Sequence, residues 1–149
     1  MRFPLISIVV FGFTVAWLNN YPVIFKEQVM RGGNLRANMF IYRLAVENPD
    51  ESSAVVLHED GDLGYYNRGN RSIYHFLENC LPIIVSTPLN FLLFPFPASV
   101  CLMVYCLGRI IYQIGYTRIG FGAHLPGFFM DRFSTMTMLA MALLAAIKI

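Results

Sequence analysis

Hydrophobic positions along this 149-residue chain gather into four long runs, separated by polar stretches of very unequal length. The first begins behind Arg2 and continues from Phe3 to Leu18 without a charge. Its strictly apolar core, about 16 residues, is short for a hydrocarbon layer of about 30 Å, so the span is read as about residues 3–25, running past Pro22. The second run covers about 72–94 and contains Pro82 and Pro88. Proline is tolerated in membrane helices because neighbouring groups satisfy the carbonyls it frees. After the uncharged turn Phe94–Pro97 come a third run at about 98–116 and a fourth at about 126–147. The pattern predicts a single all-α membrane domain, a four-helix transmembrane bundle with a polar loop over about 26–70.

Composition agrees with that reading. The chain is 56% hydrophobic and only 13% charged, about half the charged share of an average soluble domain. A formal charge of +2 with no basic run gives no footprint for nucleic acid. Cys80, Cys101 and Cys106 all lie inside apolar runs and read as small core residues rather than a disulfide or metal framework. The leading run has the look of a signal peptide, but Asn19-Asn20-Tyr21-Pro22 offers no small-x-small cleavage site, so it reads as the first span.

Most polar residues fall between Lys26 and Asn70. Arg31-Gly32-Gly33-Asn34 is expected to break the helix, Asn38–Ala45 to form a short amphipathic segment, and Glu47–Glu51 a turn with helix-start chemistry. Glu59-Asp60-Gly61-Asp62 lacks the spacing and terminal Glu of a calcium loop, and His58 beside it reads as solvated. Lys26, Arg31, Arg36, Arg43, Arg68 and Arg71 in the first loop and Arg118 in the third outweigh Arg2 and Lys148 on the other side. The positive-inside rule therefore puts those loops in the cytosol of an endoplasmic-reticulum protein, or in the matrix or stroma of a mitochondrial or plastid one.

Two helix faces carry the candidate chemistry. Arg71, His75 and Glu78 stand at steps of four and three, and so do Arg109, Tyr112 and Tyr116. A carboxylate inside a span costs roughly 2.5–3.5 kcal/mol even on a lenient scale, so Glu78 is expected to face the bundle interior and meet a cation. The two faces can line a cleft for a small polar anion entering from the loop side, with Arg as the fork for carboxylates and a Tyr hydroxyl beside a thiolate. The alternative is a single buried Arg109–Glu78 ion pair that fixes helix register, with the tyrosines as packing. Gly108 and Gly115 allow close approach of another helix. A channel or transporter has little support, because intramembrane polar residues are few and no repeat is visible.

These residues resemble the membrane-associated proteins in eicosanoid and glutathione metabolism, the family of the microsomal glutathione transferases. Its second-helix pattern, Arg-x-x-x-Asn-x-x-Glu with a following Asn and Pro, is met by Arg71, Glu78, Asn79 and Pro82. Its third-helix pattern is met by Gly108, Arg109, Tyr112, Gly115 and Tyr116, and Asn48-Pro49-Asp50-Glu51 looks like the turn after its first helix. The likeness spans roughly residues 45–129. It implies a trimer of left-handed four-helix bundles, with glutathione bound between subunits near the cytosolic helix ends by Arg71, Glu78, Arg109, Tyr112 and Tyr116. The implied activity is thiol transfer to lipophilic electrophiles, or reduction of lipid hydroperoxides.

Two positions depart from the pattern. His75 stands in place of the second-helix Asn. The fourth-helix Arg that stabilises the thiolate has only His124 as its nearest counterpart, one residue out of register, so His124 and Tyr116 are the expected catalytic pair. A neutral imidazole stabilises a thiolate far less than a guanidinium does. The sequence therefore carries two expectations: a membrane glutathione transferase or peroxidase, or a non-catalytic subunit of a larger respiratory or photosynthetic membrane complex.

Overall fold

The computed structural model describes residues 2–29, 40–45 and 54–148. Among these the chain is mostly helical: α1 (Arg2–Asn20), α2 (Val23–Val29), a hairpin of β1 (Tyr42–Ala45) and β2 (Ala54–Leu57), then α3 (Gly61–Asn79), α4 (Leu81–Leu93), α5 (Pro95–Arg118) and α6 (Leu125–Lys148). Three stretches are long and apolar enough to cross a membrane: Arg2–Lys26, Pro95–Arg118 and Leu125–Ile147. The expected turns at 31–34 and 47–51 lie outside the described residues.

The second run is not one straight helix. It divides into α3 and α4, bent by 48°, and counts as a fourth span only if the bent pair is taken together. The cause sits in the first turn of α4. Pro82 has no N–H to donate, and its ring conflicts with the carbonyl four residues back, that of Glu78. The amide of Asn79 closes the end of α3 by donating to the His75 carbonyl at 2.8 Å. The polar loop is also shorter than expected, because α3 begins at Gly61, and Tyr42–Ala45 of the expected amphipathic segment form a strand.

Helix α5 is the centre of the bundle and packs on α6, α1, α3 and α4. Half of its most apolar window is buried, against 17% for the first span and 28% for α6, so the outer helices keep broad exposed apolar faces. Leu18, Phe76, Ile83, Ala98, Leu102, Tyr105 and Met138 form the main core, so every span contributes. Asn90 of α4 donates to the Met138 carbonyl of α6 at 2.8 Å, a buried polar tie between spans of the kind that holds membrane helices together.

Glycines set the closest crossing. A Cβ on Gly108 would lie 2.8 Å from the Met130 Cβ and 2.9 Å from the Gly127 carbonyl, and Gly127 is packed as tightly on Gly108 and Tyr112. Bare backbones therefore meet where α5 crosses α6. Gly115 serves the same purpose against the Ala123 carbonyl in the α5–α6 loop, which turns through Gly120 and Gly122 at φ +107° and +94°.

Candidate functional site

The crossing at Gly108 places Asp131 of α6 beside Arg109 of α5. Both are completely buried, and the guanidinium donates from Nη1 to the Asp131 Oδ2 at 2.9 Å. The same nitrogen lies 3.1 Å from His75 Nδ1, and Nη2 donates to the Ser72 carbonyl at 3.1 Å. Because a guanidinium only donates, His75 Nδ1 accepts and its ring proton resides on Nε2. Asp131 is shared, since Arg132 Nε donates to its other oxygen at 2.9 Å while Arg132 Nη1 reaches the Asn79 side chain at 3.0 Å. One carboxylate between two guanidiniums leaves this group with one net positive charge.

A second polar seam lies above it. Gln113 of α5 donates to the Gly69 carbonyl at 3.2 Å, and Arg68 Nε donates to the Thr117 carbonyl at 3.2 Å. Together with the bond from Arg109 to Ser72, these fix the antiparallel register of α3 and α5: Arg68 is level with the loop end of α5, and later residues of α3 lie progressively deeper.

Glu78 and Arg109 are not partners. Glu78 faces outward on α3 and is 3.4 Å from Arg71 Nη1, with both side chains about half exposed, at 53% and 50%. Neither the expected Arg109–Glu78 register pair nor an inward-facing Glu78 is present; Asp131 takes that place. The reason is angular. Residues 71 and 78 share one side of α3, whereas Ser72 and Phe76 on the adjoining side are buried. His75 sits between the two charged groups, within electrostatic reach of Glu78, Arg109, Arg132 and Asp131.

The aromatic candidates do assemble. His75 stacks on Tyr112 with ring centroids 5.0 Å apart and planes only 7° from parallel. The Arg109 guanidinium lies 4.5 Å from the centre of the Tyr112 ring, a cation–π contact. Tyr112 and Tyr116 are 6.0 Å apart, and His124 stands edge-on to both, at 4.9 Å and 5.3 Å. Arg71 lies one helical turn before His75 on the same side of α3. Arg71, His75, Tyr112, Tyr116 and His124 thus form one patch at the loop end of α3 and α5, with Glu78 on its deep side and Arg109 behind it.

Asp131 and Arg132 are participants that the sequence analysis did not single out, and Asn79 entered it only through the family pattern. The signal was available: Asp131-Arg132 lies inside the fourth apolar run, where an acidic side chain is as costly as at Glu78.

Compared with known proteins, the chain matches no family model, no curated protein and no solved structure.

Proposed function

We propose that the chain is a membrane-embedded glutathione transferase or peroxidase-like protein of the eicosanoid and glutathione metabolism type. It would join glutathione to lipophilic electrophiles, or reduce them, at the patch around Arg71, Glu78, Tyr112 and Tyr116. One observation carries the reading. Arg68 is level with the loop end of α5, and Glu78 lies about 15 Å further along α3 at the helical rise per residue. A carboxylate that deep in a bundle of apolar spans, yet 53% exposed, must be covered by something polar or by another protein surface.

Glutathione meets that requirement chemically, having two carboxylates and an ammonium. Arg71 suits a carboxylate, and Glu78 suits the ammonium; their own pairing at 3.4 Å is loose enough to open for a ligand. The unbalanced positive charge of the Arg109–Asp131–Arg132 group, with His124 and Tyr116 at the loop end, favours an anion such as a thiolate. The exposed pair also calls for a neighbouring subunit to close the site, as the family's trimer does.

Purified protein in detergent should give ultraviolet thiolate absorbance on addition of glutathione and should turn over a nitroaryl acceptor. Arg71→Ala and Glu78→Gln should lose both signals. A wild-type protein lacking both would overturn the proposal.

A second reading draws on Arg109. Its charge is committed to Asp131 within the chain, which favours a non-catalytic subunit whose outward pair docks on an unrelated membrane protein. Purification of the native assembly separates the two: copies of this chain alone support the transferase, and one copy among unrelated subunits supports the accessory role.

A further inference from the structure

The hairpin of β1 and β2 has one apolar face that the bundle leaves bare. Its register pairs Tyr42 with Leu57 and Leu44 with Val55, so these four side chains share a face. Tyr42 is 58% exposed, Leu44 67% and Val55 66%. The opposite face carries Arg43 and Val56, and Arg43 is held at 2.9 Å by Asp60. A two-stranded hairpin this short is marginal in water, and leaving its apolar face wet removes the burial that would stabilise it.

The hairpin's height in the bundle identifies what covers that face. Its root is clamped to α3 by Asn67, whose amide donates to the Ile41 and His58 carbonyls at 2.7 Å and accepts from the Ile41 N–H at 2.9 Å. The next residue, Arg68, bonds to Thr117. From Pro95 to Thr117 along α5 is about 33 Å at the helical rise, close to the hydrocarbon thickness of about 30 Å. With the uncharged α4–α5 junction at Phe94 at one boundary, the hairpin root lies at the other. Phe40, at that root, packs on Tyr74 with centroids 5.2 Å apart, and the next outward residues of the span, Leu77 and Leu81, are 55% and 65% exposed.

We infer that the hairpin is an interfacial membrane anchor: Tyr42, Leu44, Val55 and Leu57 enter the boundary between headgroups and acyl chains on the loop side, while Arg43 and Asp60 stay in water. Interfacial segments bind in this way, with an apolar face a few ångströms into the boundary and a tyrosine at headgroup level. The inference is independent of glutathione chemistry.

The test uses the full chain with its single tryptophan moved. In a Trp17→Phe background, Leu44→Trp, Val55→Trp and, on the other face, Val56→Trp are reconstituted in phosphatidylcholine vesicles containing lipid brominated near the headgroup. Emission at positions 44 and 55 should be blue-shifted and quenched at least twofold more than at 56. Water-like emission quenched by iodide at 44 and 55 overturns the inference. Blue-shifted emission that brominated lipid does not quench also overturns it, because a second copy or another protein then covers the face. Leu44 and Val55 are exposed whereas Val56 and Trp17 are half-buried, and unchanged circular dichroism shows that each variant has folded.

Discussion

Two ionic groups lie within a few turns of each other, and they are built in opposite ways. Arg109 and Asp131 are wholly buried, joined at 2.9 Å, and backed by His75, Ser72 and Arg132. Arg71 and Glu78 are half exposed and meet each other at 3.4 Å. The first group is closed: its hydrogen bonds hold α3, α5 and α6 at one height, so its energy is realised in folding. The second is open and carries both signs at the surface of α3. A sequence pattern treats Arg109 and Arg71 alike, as arginines one turn from an aromatic ring. The structure buries one inside a three-helix network and leaves the other half exposed on α3.

The sharpest way to break the contrast is to remove Asp131. Asp131→Ala leaves a buried guanidinium without its carboxylate, and the expected loss is about 3–5 kcal/mol. Thermal unfolding of the detergent-solubilised protein would register it as a large fall in midpoint. Replacing both partners, as Arg109→Met with Asp131→Leu, should restore most of that stability, since apolar pairs of similar volume commonly equal a buried ion pair. Recovery in the double variant separates a register device from a group needed for its charge.

Overpacking of the crossing that brings the pair together ranks next. Gly108→Leu drives a side chain into Met130 and the Gly127 backbone, and the expected cost is about 1–3 kcal/mol or more, with α6 displaced from α5. Gly12→Ala, which meets nothing within 4 Å, should stay within about 0.5 kcal/mol by the same measurement.

The smallest stability effect belongs to the open pair. Glu78→Gln should change the unfolding free energy by less than about 1 kcal/mol, as for other exposed ion pairs. Glutathione titration of the same variant, followed by thiolate absorbance, should lose most of its amplitude. A variant that unfolds like Asp131→Ala would place Glu78 in the closed group and end the comparison. Asn79→Ala lies between the two, removing the Arg132 contact and the cap on α3; an expected loss of about 1 kcal/mol per buried hydrogen bond is readable by the same unfolding assay.

Much of the architecture was legible because a bilayer simplifies the problem. Long apolar runs around Phe3–Leu18, Ala98–Tyr116 and Pro126–Ile147 have few conformations available in hydrocarbon, so their helices follow from composition and length. Gly108 and Gly115 were readable as close-approach points for the same reason: a missing side chain on an apolar helix invites a neighbour. His75, Tyr112 and Tyr116 were picked out by helical spacing, and His124 only through the family resemblance. The bend at Pro82 and the strand at Tyr42–Ala45 were not, since a proline's effect depends on the neighbours around it, and four residues of alternating pattern are too few to separate strand from helix.

The partner of Arg109 shows where the sequence stops being sufficient. Order along the chain determined that two carboxylates, Glu78 and Asp131, lie inside apolar runs, and that each needs a cation or a cover. Which cation each receives depends on the rotation of α3 and α6 about their axes, and helix rotation is set by packing of all the spans at once. The Gly108–Gly127 contact turned Asp131 inward to Arg109, and burial of Phe76 and Ser72 turned Glu78 out. Charge and hydropathy are properties of single residues, whereas the direction a side chain faces is a property of the assembled bundle.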